Sequence, residues 1–349
     1  MPALEQGRNR STSNWWVRLL TPLISYSSSQ ALKDSIRNSD LAPTFDEQLF
    51  DDLLALGLPP LISPTALAVI LGVSPKLITA MARAPKHYYR SFSIPKKDGE
   101  ERIILAPRSF LKAVQYYILR FVLEPQPVSA FCTGFVRGRG IVQNARLHVG
   151  LPFLLNVDLR DFFGSVTLAQ VRQVFSRIGF PTATAETLAQ LCTFGGALPQ
   201  GAPTSPALSN LVFVDADQEI ANLAAANRLT YSRYADDLSF SALRPIPQAL
   251  PTELAQVLGR HGFRLNPAKT RFAGPNQAKY VTGLVVNVRP QVDRRTRRRL
   301  RAIFHQAHLR PEQFRGRAHE LAGWASFVKS FDFARGQRYT AVARALPRE

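Results

Sequence analysis

Two adjacent carboxylates, Asp236 and Asp237, stand inside an apolar, strand-like run, Tyr231-Ser232-Arg233-Tyr234-Ala235-Asp236-Asp237-Leu238-Ser239-Phe240-Ser241. Like charges so close repel unless something neutralises them, and a hard divalent cation held by oxygen ligands is the usual remedy. A further acid, Asp158, closes the apolar run Phe153-Leu154-Leu155-Asn156-Val157-Asp158, which continues into Leu159-Arg160-Asp161-Phe162-Phe163. An acid at the end of a buried strand is a poor structural choice but a good position for a metal ligand. Asp158, Asp236 and Asp237 would supply oxygen ligands to two Mg²⁺ ions, the arrangement that activates an attacking oxygen and stabilises a leaving one, so the chemistry indicated is nucleotidyl transfer. Taken alone, Asp236-Asp237 reads equally well as a solvated turn. Asp161 is the alternative ligand on the first strand, although its place predicts a cap for the following helix.

The elements that must position these acids follow from apolar periodicity. Alternating residues on both sides of the Ala-Asp-Asp step read as two short strands joined by a tight turn. A helix over 205–226 carries Leu208, Leu211, Val212 and Val214 as a structural stripe behind that hairpin. Residues 167–192 divide into two helices near Gly179 and Pro181, with Val171, Val174, Phe175 and Ile178 on one face. Upstream, short helices start at Thr44 or Asp46, at Ser63-Pro64 and at Ser74-Pro75. The stretch 92–104 alternates as two strands around Asp98-Gly99, a hairpin whose basic residues are Lys96, Lys97 and Arg102. Residues 110–123 read as an amphipathic core segment. The Gly-spaced loop Gly134-Phe135-Val136-Arg137-Gly138-Arg139-Gly140 lets phosphates approach the backbone, and the helix after it puts Asn144 and His148 on one face. Further on come a helix over 252–261, a strand pair over 280–287, a basic helix from Arg294 toward His308, and a half-apolar helix over 321–328.

Composition narrows the partners. The formal charge of +19, from 44 Lys+Arg against 25 Asp+Glu in 349 residues, points to a polyanion, because basic residues gain affinity by releasing counterions from phosphates. No apolar run approaches the roughly 20 residues of a membrane-spanning helix, so no membrane partner is expected. Cys132 and Cys192 lie far apart without zinc spacing and read as buried free thiols in a reducing cytoplasm.

On these residues the chain resembles a known family. Tyr234-Ala235-Asp236-Asp237 looks like the YxDD box of reverse transcriptases, and 158–163 looks like the preceding motif with their first catalytic Asp. Leu198-Pro199-Gln200-Gly201-Ala202-Pro203-Thr204-Ser205-Pro206 resembles the PQG motif, and Phe263-Arg264-Leu265-Asn266-Pro267-Ala268-Lys269-Thr270 the GFxxNxxKT segment. Motif order and spacing agree with the family over roughly residues 90–330. Asn144-Ala145-Arg146-Leu147-His148 matches the NAxxH pattern, and Val281-Thr282-Gly283 the VTG signature, of retron reverse transcriptases in particular.

The resemblance implies an α+β right-hand polymerase with fingers, a ferredoxin-like palm and a small helical thumb. The implied division is an N-terminal extension over 1–45, fingers over 46–150, a palm with inserted finger helices over 151–285 and a thumb over 286–349. It implies RNA-directed DNA synthesis, with Mg²⁺ held by Asp158, Asp236 and Asp237. Gln200 and the Gly201 backbone would position the incoming nucleotide, and Arg102 and Lys269 would meet its phosphates. Phe163, placed as the family's aromatic gate, would exclude a 2′-hydroxyl and select deoxynucleotides, while Phe162 packs the core. Arg137, Arg139, Asn144, His148, Val281, Thr282, Gly283, Arg294, Arg295, Arg297, Arg298 and Arg299 are the implied contacts to RNA or primer. Retron enzymes copy a cognate noncoding RNA from the 2′-hydroxyl of an internal guanosine and leave branched, RNA-linked single-stranded DNA, msDNA, commonly in antiphage defence. Any effector protein would be a separate polypeptide, and the setting would be a bacterial cytoplasm. Two alternatives stay open: another bacterial reverse transcriptase of group II intron or diversity-generating type, and a catalytically idle RNA-binding scaffold. The NAxxH and VTG signatures speak against the first, and the complete set of acids against the second.

Overall fold

The computed structural model describes residues 28–38, 45–95, 99 and 101–347. Lys96, Lys97, Asp98 and most of the 1–45 extension lie outside the described residues. The helices in chain order are α1 (Ser29–Arg37), α2 (Glu47–Ala55), α3 (Pro64–Leu71), α4 (Pro75–Arg83), α5 (Ser109–Ile118), α6 (Ile141–Arg146), α7 (Leu168–Ile178) and α8 (Thr182–Cys192). After them come α9 (Ser205–Val212), α10 (Val214–Ala226), α11 (Leu250–Arg260), α12 (Arg294–Leu309), α13 (Ala318–Phe331) and α14 (Phe333–Arg344). The strands are β1 (Tyr89–Pro95), β2 (Glu101–Pro107), β3 (Phe153–Asp158), β4 (Thr230–Tyr234), β5 (Asp237–Ala242), β6 (Arg271–Ala273), β7 (Tyr280–Val281) and β8 (Leu284–Val285). Among the described residues no single helix is long and apolar enough to cross a membrane.

The chain divides into two compact units, each discontinuous in sequence. The first comprises Met1–Pro127 and Phe163–Val212. Its short helices begin where the sequence predicts, because Asp46 and Ser63 accept hydrogen bonds from the backbone N–H groups of Leu49 and Ala66. β1 and β2 form the expected antiparallel hairpin, and α7, capped by a Thr167–Gln170 box and ended by Gly179 at φ 114°, packs with α8. Thr167 therefore caps the helix that was expected to use Asp161, which instead sits in the preceding turn at φ 47°.

The second unit comprises Val128–Phe162 and Phe213–Glu349. Its centre is a four-stranded antiparallel sheet in the order β4-β5-β3-β6. β3 is flanked on both edges, which explains its nearly unbroken apolar run. The helix expected over 205–226 is two helices, α9 and α10, broken at Phe213 where the chain passes from one unit to the other. Burial of that ring accompanies the break, as it packs edge-to-face against Phe162 and Phe263 at centroid distances of 5.8 and 4.7 Å. α12, α13 and α14 enclose a separate apolar core built on Leu300, Phe304, Leu321, Ala325 and Val328. Gly336 lets α14 lie against α13, since a Cβ there would stand 2.2 Å from the Lys329 Cα.

Candidate active site

Strand register brings the predicted acids together. β3 ends at Asp158 and β5 begins at Asp237, and the two residues are direct cross-strand partners. Tyr234 pairs with Asp237, so Ala235 and Asp236 form a two-residue turn in which Ala235 takes a left-handed φ of 57°. The Leu159 N–H donates to the Asp236 carbonyl at 3.0 Å and ties that turn to the end of β3. Asp158 is buried, Asp236 half-buried, and Asp237 opens to solvent. Protein atoms nevertheless strip water from the Asp237 carboxylate, and this, followed by the charges of Asp236 and Asp158, pushes its pKa up to about 6. Lys269 pulls it the other way.

Lys269 stands on the Gly-Phe-containing segment after α11 and donates from Nζ to a carboxylate oxygen of Asp158 at 2.9 Å. The Asn266 N–H donates to the Asp158 carbonyl at 2.8 Å, which fixes that segment beside β3. In donor chemistry the set suits a divalent cation: Asp158 and Asp237 pair at one end of two strands with Asp236 on the adjoining turn, burial and then mutual repulsion raise the proton affinity of Asp237, and an ammonium already answers Asp158. As they stand, no three acidic, histidine or cysteine side chains among the described residues are close enough to hold an ion together.

Two buried polar networks grip the hairpin from opposite sides. On one side His148 is fully buried, with Nδ1 at 2.6 Å from the Ser241 hydroxyl on β5 and Nε2 at 2.7 Å from the Ser232 hydroxyl on β4. Ser232 in turn meets Asn144 Oδ1 at 2.6 Å, while the Asn144 amide nitrogen has no partner among the described residues. Burial pushes the His148 pKa down to about 4, so the ring is neutral, one nitrogen donating and the other accepting. On the other side Asp217 of α10 holds Arg233 and the Tyr231 hydroxyl of β4.

The NAxxH and VTG signatures meet each other. Thr282 Oγ1 donates to the Ile141 carbonyl at the start of α6 at 3.1 Å, and Val281 shares a core cluster with Val142 and Ala145. Thr282 at φ 47° and Gly283 at φ 81° make the tight turn between β7 and β8. Asn144, His148 and Val281 were expected to touch RNA or primer; all three face protein instead, because each is enclosed by the sheet and helices it joins. Gly283 is exposed, as is Arg137. Arg139 is exposed too, but one guanidinium nitrogen turns back onto the carbonyls of Ser129 and Cys132 at 2.9 and 2.7 Å.

The other residues expected to meet the nucleotide lie in the first unit. Gln200 adds its carbonyl to the edge of β2, accepting from the Leu105 N–H at 2.8 Å. Gly201 has φ 126°, and a Cβ there would stand 2.9 Å from the Leu105 carbonyl oxygen, so both conformation and space demand glycine. Arg102 is exposed on the same hairpin, paired with Ile94. Phe163 is half-buried at the start of a turn closed by the Val166 N–H on its carbonyl, and Leu198 next to the PQG segment donates to Val166.

The basic helix divides by its own periodicity. Arg294, Arg297, Arg298 and Arg301 of α12 line a cleft of about 680 Å³ with His305, and Arg335 and Arg338 of α14 complete it. Its floor is the stacked pair Phe304 and Tyr339, with centroids 3.9 Å apart. Arg295 and Arg299 are exposed outside it. Among the described residues Arg294, Arg298, Arg301 and Arg338 have no ion-pair partner, whereas Arg297 donates to Gln291 Oε1. Arg301 belongs to the basic helix expected from the sequence, whereas Arg335 and Arg338 were not expected; their spacing on one helical face was the available signal.

Comparison with known proteins agrees with this geometry. The family described as reverse transcriptase (RNA-dependent DNA polymerase) matches residues 94–284. The retron Mx162 reverse transcriptase of Myxococcus xanthus is 36% identical over 332 residues, covering 84% of this chain and 68% of the relative. The retron Ec86 reverse transcriptase of Escherichia coli is 34% identical over 285 residues, covering 79% of this chain and 87% of the relative. Among solved structures, telomerase from Candida albicans overlays 65% of this chain and 51% of its own with 9% identity and a TM-score of 0.44, which adds nothing to the assignment. The sequence similarity and the antiparallel sheet carrying the acids place the chain among the retron-type reverse transcriptases: it is an RNA-directed DNA polymerase with the α+β right-hand fold of that family.

Proposed function

We propose that this polymerase copies a cognate structured RNA from the 2′-hydroxyl of an internal guanosine into branched, RNA-linked DNA, and that Asp158, Asp236 and Asp237 hold the catalytic metals. The observation that carries the site is the direct pairing of Asp158 with Asp237, with Asp236 on the adjoining turn. The reverse transcriptase family depends on divalent metal; two Mg²⁺ ions bound here would lower the pKa of the attacking hydroxyl and stabilise departing pyrophosphate. The chain's own residues do the rest. Lys269 exchanges its hold on Asp158 for the nucleotide phosphates, Arg102 meets the triphosphate, and Gln200 with the Gly201 backbone orients the nucleotide. Phe163 excludes the ribose 2′-hydroxyl.

The C-terminal helices α12–α14 act as the thumb, and their arginine cleft receives the phosphate backbone of the folded template. Arg137 and the exposed Gly283 turn add contacts to RNA or primer. On this reading template, deoxynucleotides and product all belong to the bacterial cytoplasm, and the enzyme serves antiphage defence with a separate effector protein, a reading supported by the likeness to retron enzymes.

The test is to express the gene with its flanking DNA and isolate nucleic acid from wild-type and Asp236→Ala/Asp237→Ala cells. A small single-stranded DNA, linked to RNA and absent from the variant, is expected. If no such species forms while the purified enzyme extends an ordinary primed RNA, priming from an internal guanosine is refuted although the polymerase remains.

A further inference from the structure

A buried ion pair is a weak way to stabilise a fold, because removing both charges from water offsets most of their attraction. Arg233 and Asp217 are nonetheless fully buried, joined by bonds of 2.9 Å from Nε and 2.7 Å from Nη2. Tyr231 adds its hydroxyl to the same carboxylate at 2.7 Å, and the guanidinium lies over the Phe213 ring at 4.4 Å. Replacing a buried ion pair by an apolar pair of similar volume is often neutral for stability, so the charges here call for another reason. The remaining guanidinium nitrogen shows what the charges add: Nη1 donates to the Ala235 carbonyl at 3.1 Å.

That carbonyl belongs to the peptide bond joining Ala235 to Asp236. Ala235 is left-handed, a conformation costing a non-glycine residue about 1–2 kcal/mol, so the turn needs holding from outside. Gly134 supplies the opposite wall: a Cβ at that position would stand 2.5 Å from the Ala235 nitrogen, so only glycine lets the 128–134 segment lie against the turn. That segment is itself bound to Arg233, whose N–H donates to the Phe131 carbonyl and whose carbonyl accepts from the Thr133 N–H, at 2.9 and 2.8 Å.

We infer that Arg233, oriented by Asp217, is a positioning residue for the polymerase reaction: its guanidinium sets the plane of the Ala235–Asp236 peptide and thereby the direction of the Asp236 carboxylate. The inference rests on Asp236 being a metal-holding carboxylate. Arg233 and Asp217 are both sealed from solvent, so they act through the hairpin rather than on substrate.

The test uses the full chain with a primed RNA template and three variants. In Arg233→Met/Asp217→Leu the buried site stays filled and no charge is stranded, but the Tyr231 hydroxyl and the Ala235 carbonyl lose their partners, so a lowered melting temperature is expected and the assays are run below it. Its kcat should fall roughly 10- to 100-fold while the dNTP KM changes by less than about threefold, and its dissociation constant for Mn²⁺, measured directly by electron paramagnetic resonance, should rise about tenfold. A folded double variant with wild-type kcat and Mn²⁺ affinity overturns the inference. Should the double variant not fold, Arg233→Lys, assayed below its melting temperature, decides on the same two readouts, because a single ammonium cannot reproduce the three-way fork. Asp236→Asn separates the underlying reading: if it keeps both synthesis and Mn²⁺ affinity, the metal assignment itself is wrong.

Discussion

The acid-bearing hairpin and the arginine cleft of α12 and α14 are both rich in polar residues, but in opposite ways. Around the hairpin, His148, Asn144, Ser232, Ser241, Arg233 and Asp217 are sealed from water, and each side chain is bound to another. In the cleft, Arg294, Arg298, Arg301 and Arg338 stand together with no ion-pair partner among the described residues. Low dielectric makes the first set rigid and intolerant of loss, since a stranded partner bears its full desolvation penalty. Solvent and salt screen the second set, which contributes affinity that can be removed in small steps. On the function proposed above, burial falls where geometry within a fraction of an ångström would matter and exposure where a large flexible polyanion would be gripped and released.

The most severe way to break this contrast is at the acids themselves. Asp158→Asn should lower single-nucleotide incorporation at least a thousandfold, about 4 kcal/mol, while RNA binding by filter retention stays within about twofold of wild type. A variant with near-normal incorporation would remove Asp158 from the site. Next comes the network behind the hairpin. His148→Ala strands Ser232 or Ser241 and leaves a cavity, so urea unfolding should show a loss of about 2–4 kcal/mol. The same residue predicts a pH dependence. Folding holds the ring neutral with a pKa near 4, whereas the unfolded chain takes up a proton near 6.5, so stability is complete above pH 6.5 and falls toward pH 4. His148→Gln should flatten that slope; an unaltered slope would mean that other groups dominate acid unfolding. The smallest effect belongs to the cleft: Arg301→Gln/Arg338→Gln should leave the melting temperature unchanged, weaken RNA binding about tenfold and reduce the salt slope by about two. Equal salt slopes for wild type and variant would show that RNA bypasses the cleft.

Much of this was legible in local sequence. Acids at strand ends, Ser63-Pro64 and Ser74-Pro75 at helix starts, and Gly201 in its tight segment each express a preference that operates within a few residues. The retron signatures were also legible as patterns, but their use was not. The resemblance placed Asn144 and His148 among the contacts to RNA or primer, and nothing in the sequence set Arg233 apart within its strand. Sequence does not distinguish a polar residue facing water from one facing a buried partner, because the partner arrives from a distant part of the chain. Ser241 lies 93 residues from His148, and Asp217 lies 16 residues from Arg233 across a helix-to-strand connection.

What the sequence by itself determined was the chemistry: the acids, their order, the basic balance and the periodicities that make strands and helices around them. Tertiary structure alone decided the opposition of Asp158 and Asp237, the inward turn of NAxxH, the joining of that motif to VTG, and the addition of α14 arginines to those of α12. The physical reason is that register and long-range hydrogen bonding are set by which buried groups can satisfy one another, and that is a property of the assembled core rather than of any segment.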